Sequence, residues 1–169
     1  MREMLNPKIK DLAEKLVKLL TAKSVKCATA ESCTGGAIGA AITHVSGASA
    51  VYLGGVISYD NSVKINTLKV SENVILTNGA VSKECALQMA EGVKKLLNAD
   101  IAISVTGIAG PAGGTPEKPV GTVFFGVATN LRAMVFPAFF SGTRDDVRLQ
   151  SVEFALNALL HEVAEEGAV

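Results

Sequence analysis

Histidine is scarce in this chain: His44 and His161 lie far apart and are not grouped with Cys, Asp or Glu at ligand spacings. A zinc site or a histidine-based hydrolase triad therefore has almost no material, and any catalysis must manage without imidazole. Cysteine is nearly as sparse. Cys27, Cys33 and Cys85 form no CxxC pair and are odd in number, which argues against a disulfide framework and for free thiols in a reducing compartment. Net charge is absent, because 16 Lys plus Arg balance 16 Asp plus Glu. No global field exists to recruit nucleic acid or an anionic membrane, so an anionic substrate must be held by a local cluster. Long apolar runs are missing too. Ile101 to Val105 is too short to span a bilayer, and the charged amino terminus MREMLNPKIKDLAEK has no apolar signal-like region. The expectation is a soluble, cytoplasmic protein without membrane or nucleic-acid partners.

What is present is core material. The 169 residues are 49% hydrophobic and 19% charged, which suits one domain over 1–169. Asn6-Pro7 reads as cap and first helical residue, ahead of Ile9, Leu12, Ala13, Leu16, Leu19 and Leu20 at helical spacing. An apolar run from Val25 to Thr29 leads through Glu31-Ser32-Cys33-Thr34-Gly35-Gly36 into the small-residue segment Ala37 to Val45, read as strand, tight turn and helix. Val51 to Tyr59 is β-rich, with a bulge or break expected at Gly54-Gly55. Asn61 to Leu68 reads as a short helix. Ser71 and Ser82 read as caps of two more, the second lined by Ala86, Met89, Ala90, Val93, Leu96 and Leu97. Ile101 to Val105 is a continuous apolar strand that runs into a glycine- and proline-rich loop, Thr106 to Pro116. Val120 to Ala128 and Ala133 to Phe140 form an antiparallel hairpin whose Pro137 points to an edge or bulge. A last helix opens at Thr143, with Asp145 and Asp146 in its first turn and Val147, Phe154, Ala155, Ala158, Leu159 and Val163 as a core stripe. This alternation predicts an α/β fold, a three-layer α/β/α sandwich with a mixed, mostly parallel sheet.

Three places could carry chemistry. Glu31 to Gly36 sets two nucleophiles, Ser32 and Cys33, on a strand-to-helix turn whose glycines leave amides open to an oxyanion. The same pattern also fits a helix N-cap by Ser32 or Thr34 beside a buried Cys33. A serine needs a base, and without a usable histidine the remaining candidate is a lysine made neutral by desolvation. Lys64 is one option, although a lysine in such a segment is ordinarily solvated. The loop after Val105 could cradle phosphate or ribose, but it lacks the ending of a P-loop and is not GxGxxG. Arg144 and Arg148, one helical turn apart, could grip a phosphate or form a salt-bridged surface.

Six blocks taken together are far more specific than any one of them. Thr29 to Gly36, Ser58-Tyr59-Asp60-Asn61 with Lys64, Gly79-Ala80-Val81-Ser82, Thr106 to Pro111 with Gly113-Gly114, Lys118 to Val123, and Phe140-Ser141-Gly142 with Arg144 and Arg148 closely resemble the CinA carboxy-terminal domain family of nicotinamide mononucleotide deamidases, over nearly the whole chain. The resemblance implies hydrolysis of nicotinamide mononucleotide to nicotinic acid mononucleotide and ammonia, in pyridine nucleotide salvage, without metal or organic cofactor. By the same resemblance Ser32 is the nucleophile, Lys64 takes and returns its proton, and Tyr59 orients or relays. Amides of Thr34, Gly35 and Gly36 form the oxyanion hole. Thr106, Gly107, Ala109 and Gly110 with Arg144 bind ribose and phosphate, Arg148 and Lys118 being alternates. Asp60 stands where relatives often have serine, and its carboxylate would favour the ammonium form of Lys64 unless it points away. The family also implies a homodimer or larger homo-oligomer. With no room ahead of the first helix for the extra amino-terminal domain that many relatives carry, the stand-alone form is expected. The rivals are a nucleotide-binding regulatory module linked to competence or DNA damage, an amidase of another small carboxamide, and a thiol enzyme built on Cys33.

Overall fold

A computed structural model describes residues 6–165 of the chain; the expectation for the charged terminus therefore lies partly outside the described residues. The elements, in chain order, are α1 (Pro7–Lys23), β1 (Cys27–Glu31), α2 (Ala37–Thr43), β2 (Tyr52–Ile57), α3 (Asn61–Asn66), α4 (Glu72–Asn78), α5 (Lys83–Leu97), β3 (Ile101–Gly107), β4 (Thr122–Ala128), β5 (Ala133–Phe139) and α6 (Arg144–Glu165). Local chemistry sets several of their ends. The Asn6 side chain accepts from Ile9 N at 2.8 Å to open α1, and Ser24 closes it in the left-handed region. Ser82 Oγ accepts from Cys85 N at 3.2 Å to open α5, and Asn98 closes that helix in the same way. Ser71 precedes α4 without a side-chain capping bond.

The five strands form one sheet in the order β2-β1-β3-β4-β5. Of its four ladders, β1 with β2 and β1 with β3 are parallel, while β3 with β4 and β4 with β5 are antiparallel. The sheet is therefore mixed and not mostly parallel. The glycine- and proline-rich loop over residues 108–121 returns β4 onto β3 and the hairpin adds β5, so two of the four ladders are antiparallel. Pro137 lies on the outer strand, where a missing N–H costs no ladder bond.

Each face of the sheet packs its own helices. Cys27, Ile101, Ile103, Val105, Val123, Phe125 and Val127 meet the apolar stripes of α1, α2 and α6. Ala28, Ala30 and Ala102 face α5, whose Cys85, Met89 and Val93 form a second cluster with Leu68 and Val70. Small residues on that face let the helix come close: Ser104 Oγ donates to Ala86 O at 2.5 Å, and a Cβ on Gly126 would lie 2.3 Å from the same carbonyl. The faces thus divide bulk against closeness, with α5 riding nearly on the backbone.

Several sequence-based boundaries shift. The first strand is Cys27–Glu31 and not Val25 to Thr29, because Ala30 and Glu31 continue both ladders, Glu31 opposite Ile57 and Val105. The bulge expected at Gly54-Gly55 falls one residue earlier: the register jumps from Tyr52 to Gly54 against successive residues of β1 and skips Leu53, with Gly54 at φ +138°. The helices expected over Ala37 to Val45 and Asn61 to Leu68 end at Thr43 and Asn66. Leu96, expected in the core stripe, is 51% exposed, whereas its neighbour Leu97 packs against the second cluster.

Candidate active site

Ser32 follows β1 directly. Its N–H extends the parallel ladder to the Val105 carbonyl at 3.0 Å, and its own carbonyl accepts from Gly35 N at 3.1 Å, so the backbone is pinned on both sides. The neighbouring strand β2 is followed by Ser58 and Tyr59, and Asp60 opens α3. That helix turns Lys64 back beneath the end of β1. Its ammonium nitrogen lies 3.2 Å from Ser32 Oγ, 2.6 Å from the Ser58 carbonyl and 3.3 Å from the Tyr59 carbonyl, and the residue is 1% exposed.

Burial is the largest influence on Lys64 and drives its pKa below the ordinary lysine value of 10.5; smaller opposing effects come from Cys85, Asp60 and Cys33. The Asp60 carboxylate points away to cap α3, its Oδ1 accepting from Ser62 N at 2.8 Å, and the Ser62 side chain first, then that backbone bond, hold its own pKa down. All three contacts are ones the Lys64 nitrogen can donate; in the neutral form two N–H groups would serve the Ser58 and Tyr59 carbonyls and leave the lone pair for the serine hydroxyl. Cys33, the adjacent nucleophile, is 6% exposed, and burial pushes its thiol up to about 12. A thiol so protonated supplies almost no thiolate at neutral pH.

The residues named from the sequence divide into two groups. Ser32, Lys64, Tyr59, Thr106, Gly107, Ala109 and Arg144 line one cleft of about 240 Å³, together with Cys33, Asn61, Ala80 and Val81. Arg144 reaches over from α6, donating to the Gly110 carbonyl at 2.9 Å and to Tyr59 Oη at 3.0 Å. Thr106 Oγ1 donates to the Ala80 carbonyl at 2.8 Å and so ties the end of β3 to the turn ahead of α5. Gly110 does not line the cleft; its carbonyl accepts from Arg144. The second group is engaged elsewhere. Gly36 N donates to the Glu31 carboxylate and Gly35 N to Ser32 O, so neither amide is open to an oxyanion. Thr34 is fully buried, its hydroxyl on Glu31 and its carbonyl accepting from Arg148 Nη2 at 3.1 Å. Arg148 is therefore part of the turn and does not line the cleft, and its Nε is buried without a partner. Lys118 bridges the Asn78 and Val81 carbonyls, both at 2.7 Å.

Sequence reasoning gave no role to Glu31, to the two carbonyls that flank Lys64, or to Asn61, Ala80 and Val81. Glycines spaced to receive a carboxylate were the available signal for Glu31. The others contribute backbone or a wall, for which residue type is a poor guide. Among the described residues no three His, Cys, Asp or Glu side chains converge as a metal-binding group, and no helix is long and apolar enough to cross a membrane.

The fold recurs in known proteins. The CinA C-terminal domain family matches residues 9–163. A CinA-like protein of Thermotoga maritima is 45% identical over 148 residues, which cover 88% of this chain and 36% of that protein. A CinA-like protein of a Sulfurihydrogenibium species is 46% identical over 149 residues, 88% of this chain and 37% of that one. The chain thus spans little more than a third of the length of these curated relatives. Among solved structures, the competence/damage inducible protein CihA from Agrobacterium tumefaciens superposes with a TM-score of 0.91 at 38% identity, covering 93% of this chain and 96% of that one. A CinA superfamily protein from Klebsiella pneumoniae gives 0.89 at 34% identity, covering 93% and 98%. With nearly every described residue inside the matched range, the chain belongs to the CinA C-terminal domain family.

Proposed function

We propose that this chain is an amidohydrolase that converts nicotinamide mononucleotide to nicotinic acid mononucleotide and ammonia, with Ser32 as nucleophile and Lys64 as its base. The observation that carries the reading is the buried Lys64 amine, 3.2 Å from Ser32 Oγ and held there by two carbonyls. Ser32 Oγ attacks the carboxamide carbon while Lys64 takes its proton, and the same proton returns to the departing nitrogen as ammonia leaves. Water then hydrolyses the acyl-enzyme by the reverse use of Lys64.

Negative charge that develops on the carboxamide oxygen falls to the amide of Cys33, which lines the cleft. That amide donates to no other residue among those described, whereas Gly35 and Gly36 are occupied. Arg144, poised over the cleft between Gly110 and Tyr59, is the cation for the phosphate, and the Thr106 to Gly110 backbone supports the ribose. The reaction needs no metal or organic cofactor. Three free, buried thiols are in keeping with work in the cytoplasm, and the active form is taken to be a homodimer or larger homo-oligomer.

Ammonia release and product identity from nicotinamide mononucleotide, measured on chelator-treated protein beside Ser32→Ala, test the reading. Nicotinic acid mononucleotide from the wild type alone is the expected result. Binding without release in either protein would replace the enzyme with a regulatory nucleotide-binding module.

A further inference from the structure

One buried side chain gathers the turn that carries Ser32. The Glu31 carboxylate, 1% exposed, accepts from Thr34 Oγ1 at 2.6 Å, Gly36 N at 3.0 Å and Ile38 N at 3.0 Å on one oxygen, and from Gly39 N at 2.8 Å on the other. Four charge-assisted hydrogen bonds from the eight residues that follow it make a closed clamp. The sequence spacing is what the clamp requires. Gly36 takes φ +94°, and a Cβ there would lie 2.9 Å from Ile57 Cδ1. On Gly39 a Cβ would lie 2.5 Å from Tyr52 Oη and 3.5 Å from Glu31 Oε1. Glu31-x-x-Thr34-x-Gly36-x-x-Gly39 is therefore a seat for one carboxylate, and Ser32 is the residue next to its anchor.

We propose that Glu31 is a positioning residue for the nucleophile: it folds residues 32–39 around its carboxylate and so holds Ser32 Oγ at Lys64. The Ser32 N–H is fixed on Val105 and its carbonyl on Gly35 N, inside the clamped segment, so the clamp sets the backbone from which the hydroxyl reaches Lys64 and leaves it a single side-chain torsion. The inference rests on the Ser32–Lys64 reading, since it concerns the placement of that serine. Glu31 itself touches no substrate in this scheme; it is absent from the cleft lined by Ser32 and Lys64.

A fluorophosphonate probe reads Ser32 without any assumption about the natural substrate. Ser32 Oγ forms the bond to phosphorus, the phosphorus–fluorine bond breaks, fluoride leaves, and the proton passes to Lys64. Glu31→Gln keeps the shape of the side chain but sets an amide against N–H donors. It should label about tenfold slower or worse, with the midpoint of the pH dependence unchanged because the surroundings of Lys64 are intact. Labelling of folded Glu31→Gln at the wild-type rate, or a shifted midpoint with the plateau rate retained, would overturn the proposal. Should Glu31→Gln fail to fold, Thr34→Val removes one donor and Thr34→Ser keeps it. Slowing in the first and wild-type labelling in the second support the clamp, whereas equal rates in all three proteins refute it. A wild type that labels but releases no ammonia faults the substrate assignment and leaves this inference standing; a wild type that does not label removes both.

Discussion

At the scale of single residues, the site depends on a lysine taken out of water. Lys64→Met removes the base and should lower kcat by roughly 10²- to 10⁴-fold while leaving nucleotide binding in place. Stability has its own signature. The folded chain holds the Lys64 pKa below its unfolded value of 10.5, so between those two values the unfolded chain binds more protons and stability rises with pH. That rise should be missing from denaturant titrations of Lys64→Met. Cys33→Ala should retain turnover, because a thiol with a pKa of about 12 offers no nucleophile; loss of activity with an intact fold would return the thiol enzyme to contention. Ser32 and Lys64 were legible as residue types suited to such chemistry, but their meeting was not. Thirty-two positions separate them, and only the pairing of β1 with β2 brings α3 beneath the end of β1. Resemblance to a family supplied what spacing could not.

At the scale of elements, α5 lies close enough to its neighbours that backbone meets backbone. A Cβ on Gly92 would stand 2.0 Å from the Leu68 carbonyl oxygen, in the segment that follows α3. Gly92→Ala should therefore destabilise by about 1–3 kcal/mol in chemical denaturation, since backbone must shift to admit the methyl. Activity should fall as well, because Val70 N, two residues beyond Leu68, bonds the Lys64 carbonyl at 3.0 Å. The elements were the more readable part of this protein. Caps such as Asn6 and Ser82 act over three residues and announce themselves locally. The end of β1 did not, because Glu31 looks like a strand breaker until its four donors are seen. Nor did the stop of α2 at Thr43, since the helix-compatible His44 and Val45 follow it.

At the scale of the whole molecule, the cleft is where separate parts of the sheet and one distant helix converge. α6 is docked through Phe154, which stacks on Phe125 of β4 with ring centroids 4.4 Å apart, and its first residue delivers Arg144 to Gly110 and Tyr59. Arg144→Ala should raise KM for nicotinamide mononucleotide roughly 10- to 100-fold, with a smaller effect on kcat, as expected for a charged hydrogen bond to bound substrate. An equal fall in kcat would show that the arginine acts on the reacting atoms instead. Balanced net charge left no field to show where an anion binds, so this contact was hidden until the fold was known. Strand order was hidden for a different reason: it is set by crossovers and by packing on both faces, which no local pattern records.

The pH dependence of kcat/KM for ammonia release by the wild-type protein tests the central claim most directly. If buried Lys64 takes the proton from Ser32, the rate climbs with a single ionisation and reaches its plateau at a midpoint below 10.5, the direction in which burial moves this amine. A rate that is flat with pH, or one that rises only at the ordinary lysine value, would contradict the assignment of Lys64 as the base.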